Sequence, residues 1–266
     1  MPVAQCNGAD LYYEEYGEGQ PIVFLHGAWA GIRFFEPQLQ GLSDDHRPIA
    51  FDFRGHGRSE KTEAGHTIAQ YAQDLRSVLE QLSLDDVILV GWSLGALVSW
   101  EYVDQFGSDR LTALVNVDME PSPGQWLDNG EGRYDARKLR QIHAGVQQNH
   151  WQVSAQTQED LLKDPDSSEY RTMMFDEVTR CPPSIKSAII LDATTCNYED
   201  VLTEIDVPML VCAGMNEKWR SVESVKRTAA LVPDDRFERF EESSHCLTIE
   251  EPDRFNEVLR DFIEAV

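Results

Sequence analysis

The apolar positions of this chain fall into short dense runs separated by amphipathic stretches. The densest, Val87-Ile88-Leu89-Val90, runs into Gly91-Trp92-Ser93-Leu94-Gly95 and then Ala96-Leu97-Val98. It predicts a buried strand, a sharp bend and an apolar helix. Similar short runs predict strands at Leu11–Tyr16, Pro21–Leu25, Pro48–Asp52, Leu111–Asp118, Val207–Ala213 and Arg236–Phe240. Between them the period changes from two to between three and four. Ile68, Tyr71, Leu75, Val78, Leu79 and Leu82 predict a helix over 67–82, with Thr67 and Gln70 as a capping box. Val222–Leu231 and a C-terminal segment carrying Phe255, Val258, Leu259, Phe262 and Ile263, opened by Pro252, complete the set. Strands alternating with helices predict an α/β chain with a doubly wound, mostly parallel sheet.

The alternation stops after Asp118. Pro121, Pro123, Gly124, Gly130 and Gly132 interrupt the chain, and from about Tyr134 to Asp200 helical patterns occur without a strand pattern. The division expected is a core of residues 1–120 and 201–266 with a helical cap of residues 121–200. The cap aromatics Trp126, Tyr134, Trp151 and Phe175 are candidates either for a pocket wall or for a small core of the cap itself.

Charge narrows the classes of partner. Against 47 acidic residues stand 23 basic ones, 17 Arg and 6 Lys, for a formal net charge of -24. Nucleic acid and anionic membranes would be repelled. A carboxylate-dense surface poor in lysine suits a salt-adapted, halophilic protein, because molar salt screens the self-repulsion. The same surface favours a neutral or cationic small-molecule substrate, or one shielded by salt. No run approaches the roughly 18 apolar residues of a membrane span, and the start Met1-Pro2-Val3-Ala4-Gln5-Cys6 does not look like a signal peptide. A cytoplasmic location is expected. The five cysteines are widely spaced and form no Cys-x-x-Cys pair, so reduced thiols are expected. No metal cluster and no G-x-G-x-x-G after a strand is evident, so neither a metal nor a nucleotide cofactor is expected. Oligomeric state is not readable.

Gly91-Trp92-Ser93-Leu94-Gly95 matches G-x-S-x-G, in which a serine is held on a strained strand-to-helix turn at a helix N-terminus. With His26-Gly27 after an early strand, Asp52-Phe53-Arg54-Gly55-His56-Gly57-Arg58-Ser59, and His245 in Ser243-Ser244-His245-Cys246 near the C-terminus, the chain resembles the α/β-hydrolase superfamily over nearly its whole length. Within it the chain is most similar to small lid-bearing esterases, lactonases and cofactor-free haloperoxidases or perhydrolases.

That resemblance implies the α/β-hydrolase fold with an α-helical cap inserted after the sixth strand. It also implies Ser93 as nucleophile and His245 as base. The acid would be Glu217, from Gly214-Met215-Asn216-Glu217, where the family usually has Gly-x-x-Asp; Asp118, ending the preceding sheet strand, is the alternative. The oxyanion hole would be the backbone N–H groups of Ala28 and Leu94. Trp29 and Trp126 are candidates for the substrate pocket. His26 would support the oxyanion loop and His56 its turn, while His46, His66, His143 and His150 lie in polar stretches and are expected in solvent. The reaction implied is hydrolysis of a carboxylic ester, thioester or lactone. Perhydrolysis and C–C bond hydrolysis use the same residues, and a non-catalytic receptor of the same fold is the competing class. Dehalogenases and epoxide hydrolases of this fold carry aspartate where Ser93 stands, which argues against those chemistries.

The charge balance makes one prediction. Lowering salt from several molar to about a tenth molar should reduce the melting temperature by roughly 10 °C or more. A melting temperature indifferent to salt over that range would overturn the halophilic reading.

Overall fold

In the computed structural model, residues 2–124, 133–166 and 169–266 are described. Eight strands form one sheet: β1 Val3–Cys6, β2 Ala9–Glu15, β3 Pro21–Leu25, β4 Arg47–Phe51, β5 Val87–Trp92, β6 Leu111–Val117, β7 Met209–Gly214 and β8 Asp235–Phe240. Their order is β1-β2-β4-β3-β5-β6-β7-β8. The first two pairings, β1 with β2 and β2 with β4, are antiparallel; the rest are parallel. The strand β1 was not anticipated: its four residues are too few for a clear alternation.

The helices are α1 Glu36–Gly41, α2 Ile68–Gln81, α3 Leu94–Phe106, α4 Ala136–Leu161, α5 Arg171–Arg180, α6 Pro183–Ala193, α7 Glu199–Glu204, α8 Val222–Leu231, α9 Leu247–Glu250 and α10 Pro252–Ile263, with a short 3-10 turn at Ile32–Phe35. The segment from α4 to α7 lies between β6 and β7 in sequence and contributes no strand to the sheet among the described residues. α4 bends at Asn149, whose backbone leaves the helical region (φ -157, ψ 81) and whose side-chain oxygen accepts the Gln152 N–H at 3.2 Å. The amide thus serves as an internal cap for the second half of the helix.

Burial follows the apolar runs. Every residue of β5 and of β7 is buried, as a central parallel strand covered on both faces must be. The edge strand β8 carries Arg236, Glu238 and Arg239, partly exposed, which discourages further strand pairing. Thr67 caps α2 by accepting the Gln70 N–H at 3.2 Å. The Gln70 side chain does not close the box; it turns to Asp74 at 3.2 Å.

One buried ion pair ties the glycine-rich turn to α2. Asp74 projects from the apolar face of α2, and both its oxygens accept from Arg54, Nε and Nη2 at 2.6 Å each. Asn7 Nδ2 adds a third donor at 2.9 Å. The histidines expected in solvent divide: His143 is exposed, His46 and His150 are half-buried, and His66 is buried. His66 is a correction. Its Nε2 meets the Thr62 carbonyl at 2.9 Å, and its ring packs against Gly55. The five cysteines are free thiols. No helix among the described residues is long and apolar enough to cross a membrane.

Asp74→Asn should cost about 3 kcal/mol or more, because it strands the Arg54 guanidinium in the interior without a counter-charge. Equilibrium denaturation at fixed salt checks this; a loss within experimental error would mean that Arg54 has another route to water.

Candidate active site

The carboxyl ends of β3, β5, β6 and β7 lie along one edge of the sheet, and each delivers a candidate residue there. After β5 the chain turns through Ser93, with φ 54 and ψ -116. A non-glycine residue in this region stores strain. What holds it is packing: a Cβ on Gly95 would sit 2.0 Å from the Leu25 carbonyl oxygen, and one on Gly91 would sit 2.5 Å from that of Gly95. Strand β3, the elbow and α3 therefore meet backbone to backbone. Ser93 stands at the N-cap of α3, yet its hydroxyl makes no capping bond, unlike those of Thr67 and Ser221, which cap their helices. The Ser93 hydroxyl is half-buried and uncommitted to the helix.

After β3, His26 is fully buried. Its Nε2 accepts the Phe53 N–H at 3.0 Å, which leaves the proton on Nδ1 to be donated to the Gly27 carbonyl at 2.8 Å. This clamps the turn that presents Ala28. Burial pushes the His26 pKa down, so the ring stays neutral in this role. Trp29 follows with φ 66. Its Nε1–H donates to the Lys186 carbonyl at 3.2 Å, and the Lys186 ammonium lies 5.2 Å from the indole centroid. Lys186, on α6, is itself buried and donates to Ser154 Oγ at 2.6 Å, so helices α4 and α6 are fastened to the loop bearing Ala28.

The segment after β8 brings in His245. Trp92, the residue before Ser93, donates its Nε1–H to the His245 carbonyl at 2.8 Å. A Cβ on Gly214 would lie 1.8 Å from the Ser244 carbonyl oxygen, so this loop crosses directly over the end of β7. Ser93, His245, Ala28, Leu94 and Trp29 all line a single cavity of about 650 Å³. Leu94 opens α3, where the first amides have no partner within the helix. Trp126 lies outside the described residues.

Both candidate acids reach the imidazole. Asp118, with φ 53, directly follows β6, and its Oδ2 lies 2.6 Å from His245 Nδ1 in a directed hydrogen bond. Glu217 follows β7, the neighbour of β6, and places Oε2 at 2.8 Å from the same nitrogen. That oxygen accepts no directed hydrogen bond among the described residues, whereas Oε1 accepts the Trp219 N–H at 2.7 Å. The directed hydrogen bond at Nδ1 is thus with Asp118, and Glu217 places its charge beside it.

A cation completes the cluster. The Arg220 side chain is buried, with Nη1 at 3.0 Å from His245 Nδ1, 3.5 Å from Asp118 and 3.6 Å from Glu217. It also donates to the Asp118 carbonyl and pairs with Glu120. Asp118, Glu217 and His245 offer three ligand atoms close enough for a metal ion, but the guanidinium already fills the cationic position among them.

Charge coupling follows from this geometry. Burial pushes the Asp118 carboxyl up to about 7; the His245 hydrogen bond works against this and the charge of Glu217 adds to it. Glu217 is held well below the usual carboxylate range: burial acts upward, but His245 and Arg220 outweigh it. The two carboxylates are coupled through the same imidazole and titrate as a pair. For His245, burial acts downward, Glu217 and the Asp118 hydrogen bond act upward, and the net shift is up from 6.5.

A model described as "Alpha/beta hydrolase family" matches residues 22–258. The chain belongs to the α/β hydrolase family. Among curated relatives, the non-heme chloroperoxidase of Kitasatospora aureofaciens is 25% identical over 298 residues, covering 99% of both chains. Among solved structures, a bromoperoxidase from Bacillus anthracis superposes with TM-score 0.93 at 26% identity, over 99% of each chain. An esterase from Exiguobacterium antarcticum shares the fold, with TM-score 0.93 at 23% identity over 98% of each chain.

Arg220, Glu120 and Trp92 were not picked out from sequence. Arg220 stands three residues after Glu217, and Glu120 two after Asp118. In a chain so rich in carboxylates neither spacing is a signal; only the adjacency of β6 and β7 makes it one.

Proposed function

We propose that this hydrolase is a serine hydrolase acting on a carboxylic ester, thioester or lactone through an acyl-enzyme. The observation that carries the reading is the strained, uncapped Ser93 sharing one cavity with an imidazole whose Nδ1–H is bonded to Asp118. With the proton fixed on Nδ1, Nε2 is free to act as base.

Ser93 Oγ attacks the carbonyl carbon while its proton passes to His245 Nε2. The carbonyl oxygen becomes an oxyanion, received by the N–H groups of Ala28 and Leu94. Collapse expels the alkoxide or thiolate, which takes the proton from Nε2, and leaves an acyl-Ser93. Water then attacks with the same base, releasing the acid and restoring the serine. Asp118 orients the ring and stabilises the imidazolium, and Glu217 adds a second counter-charge. This assignment reverses the preference for Glu217 that Gly-x-x-Glu suggests. A second reading is favoured by the chloroperoxidase and bromoperoxidase relatives. Hydrogen peroxide would replace water in the second half-reaction and leave as a peracid.

A fluorophosphonate should label the protein at Ser93, and p-nitrophenyl esters should turn over in high salt. Both should vanish in Ser93→Ala; labelling or turnover that survives there would overturn the assignment. Ligand binding without any turnover would favour the receptor class.

The acids can be ranked. Asp118→Asn should lower kcat/KM by roughly a hundredfold or more and Glu217→Gln by less than about tenfold. The reverse order would return the acid role to Glu217. The pH profile gives an independent reading. A raised His245 pKa means that the protonated, inactive base persists to higher pH, so activity on a neutral ester should fall away on acidification from above pH 6.5. Glu217→Gln removes an upward influence and should move that acid limb to lower pH. An unmoved limb would mean that Glu217 does not act on the imidazole.

A further inference from the structure

Four basic side chains line the cavity in front of Ser93: Arg133, Lys138, Lys218 and Arg220. Three are accounted for. Lys138 is exposed on the first turn of α4. Lys218 donates to the carbonyls of Glu159 and Leu162 at 3.0 and 2.6 Å. Arg220 is surrounded by Asp118, Glu120 and Glu217.

Arg133 differs. It makes no ion pair among the described residues, and its Nη1 is sealed from solvent without a hydrogen-bond partner. Its guanidinium is held over two rings, 4.1 Å from the Tyr134 centroid and 4.6 Å from that of Trp219. Trp219 in turn lies 5.4 Å from the His245 ring, so the guanidinium is one indole removed from the base. Burial first and Arg220 second bring its pKa down to about 9, which still leaves it charged at neutral pH. The two carboxylates of the outer cavity wall are otherwise engaged: Asp135 caps α4 by accepting the Lys138 N–H at 2.6 Å, and Asp160 accepts from Gln156 at 3.1 Å. A desolvated guanidinium N–H without an acceptor is costly, and its natural complement is a carboxylate.

We propose that Arg133 binds a carboxylate of the substrate, so that the compound hydrolysed is an anionic ester, thioester or lactone bearing a free carboxylate a few bonds from the scissile carbonyl. This rests on the serine-hydrolase reading above and narrows it to a substrate class. It departs from the neutral or cationic substrate that net charge suggests. The acidic surface acts at long range and is screened by salt, whereas the Arg133 contact is short-range and inside the protein.

Matched pairs of substrates test it at one fixed high salt concentration. Mono-p-nitrophenyl esters of succinic, glutaric and adipic acid are compared with p-nitrophenyl esters of uncharged acids of equal length. 4-Acetoxybenzoate is compared with phenyl acetate, which places the carboxylate on the leaving group instead. The wild type should favour the charged member of at least one pair by tenfold or more in kcat/KM, mainly through KM. Arg133→Gln should bring that ratio towards one, whatever it does to both rates, and Arg133→Lys should restore part of it. The ratio within each variant separates recognition from a general loss of folded enzyme. Ratios at or below one in every pair, or a ratio unchanged in Arg133→Gln, overturn the proposal while Ser93 labelling and neutral-ester turnover leave the hydrolase reading standing. If Ser93 is not labelled and no ester turns over, both fall together.

Discussion

The site depends on how charge is balanced around one nitrogen. His245 Nδ1 has Asp118 at 2.6 Å, Glu217 at 2.8 Å and Arg220 at 3.0 Å, all with buried side chains. Two carboxylates on one imidazole repel each other, and without a cation one would be driven to hold a proton tightly. Arg220 offsets that repulsion and anchors the cluster by bonding to the Asp118 carbonyl and pairing with Glu120. It also opposes protonation of the ring. The imidazole therefore sits between two carboxylates that favour its charged form and burial and Arg220, which resist it; such a poise is what a general base requires. Removing any one member changes the charge balance among side chains that are largely buried.

The backbone supports this arrangement at the ends of neighbouring strands. Trp29 after β3, Ser93 after β5 and Asp118 after β6 all adopt positive φ without being glycine. Each strand is followed within four residues by one bent into a strained turn, and each of those residues lines or adjoins the same cavity. The strain is held by contacts that leave no room to relax, such as Gly95 against the Leu25 carbonyl. Trp92 links the pieces. Its ring lies against Gly27 and stacks on Phe34 at 5.0 Å, while its N–H holds the His245 carbonyl. One side chain thereby touches the turn at Gly27, the elbow at Ser93 and the loop of His245.

How much of this the sequence reveals depends on whether a feature is local. The α/β alternation, the elbow at Ser93 and the cap on α2 by Thr67 are written in residues close together in the chain, and all are legible. The choice between Asp118 and Glu217 is not local. It follows from β6 and β7 being neighbours, which brings two loops almost a hundred residues apart to the same ring. Spacing within one motif ranks the acids in one order, and the direction of the Nδ1–H bond ranks them in the other. His66 shows the same limit on a smaller scale. It stands in a polar stretch, yet the turn of Gly55 folds over it and Tyr71 reaches it at 3.4 Å. Polarity of the neighbours in sequence says little about burial when a distant turn supplies the cover.

The net charge, read alone, does not describe the wall of the cavity. A chain with twice as many acids as bases is expected to meet its ligands with negative potential. Many of its arginines are committed near the surface to nearby carboxylates, as Arg47 is to Glu15, Arg58 to Glu14 and Arg260 to Asp45. Such exposed pairs contribute little stability individually and less in salt. Arg133 and Arg220 are placed differently, within the wall of the cavity. Bulk charge sets solubility and long-range attraction. A guanidinium held over indole and phenol rings sets what can bind at contact distance. Salt screens the first far more than the second, so on the proposed reading the local cation would outweigh the overall sign in selecting a substrate.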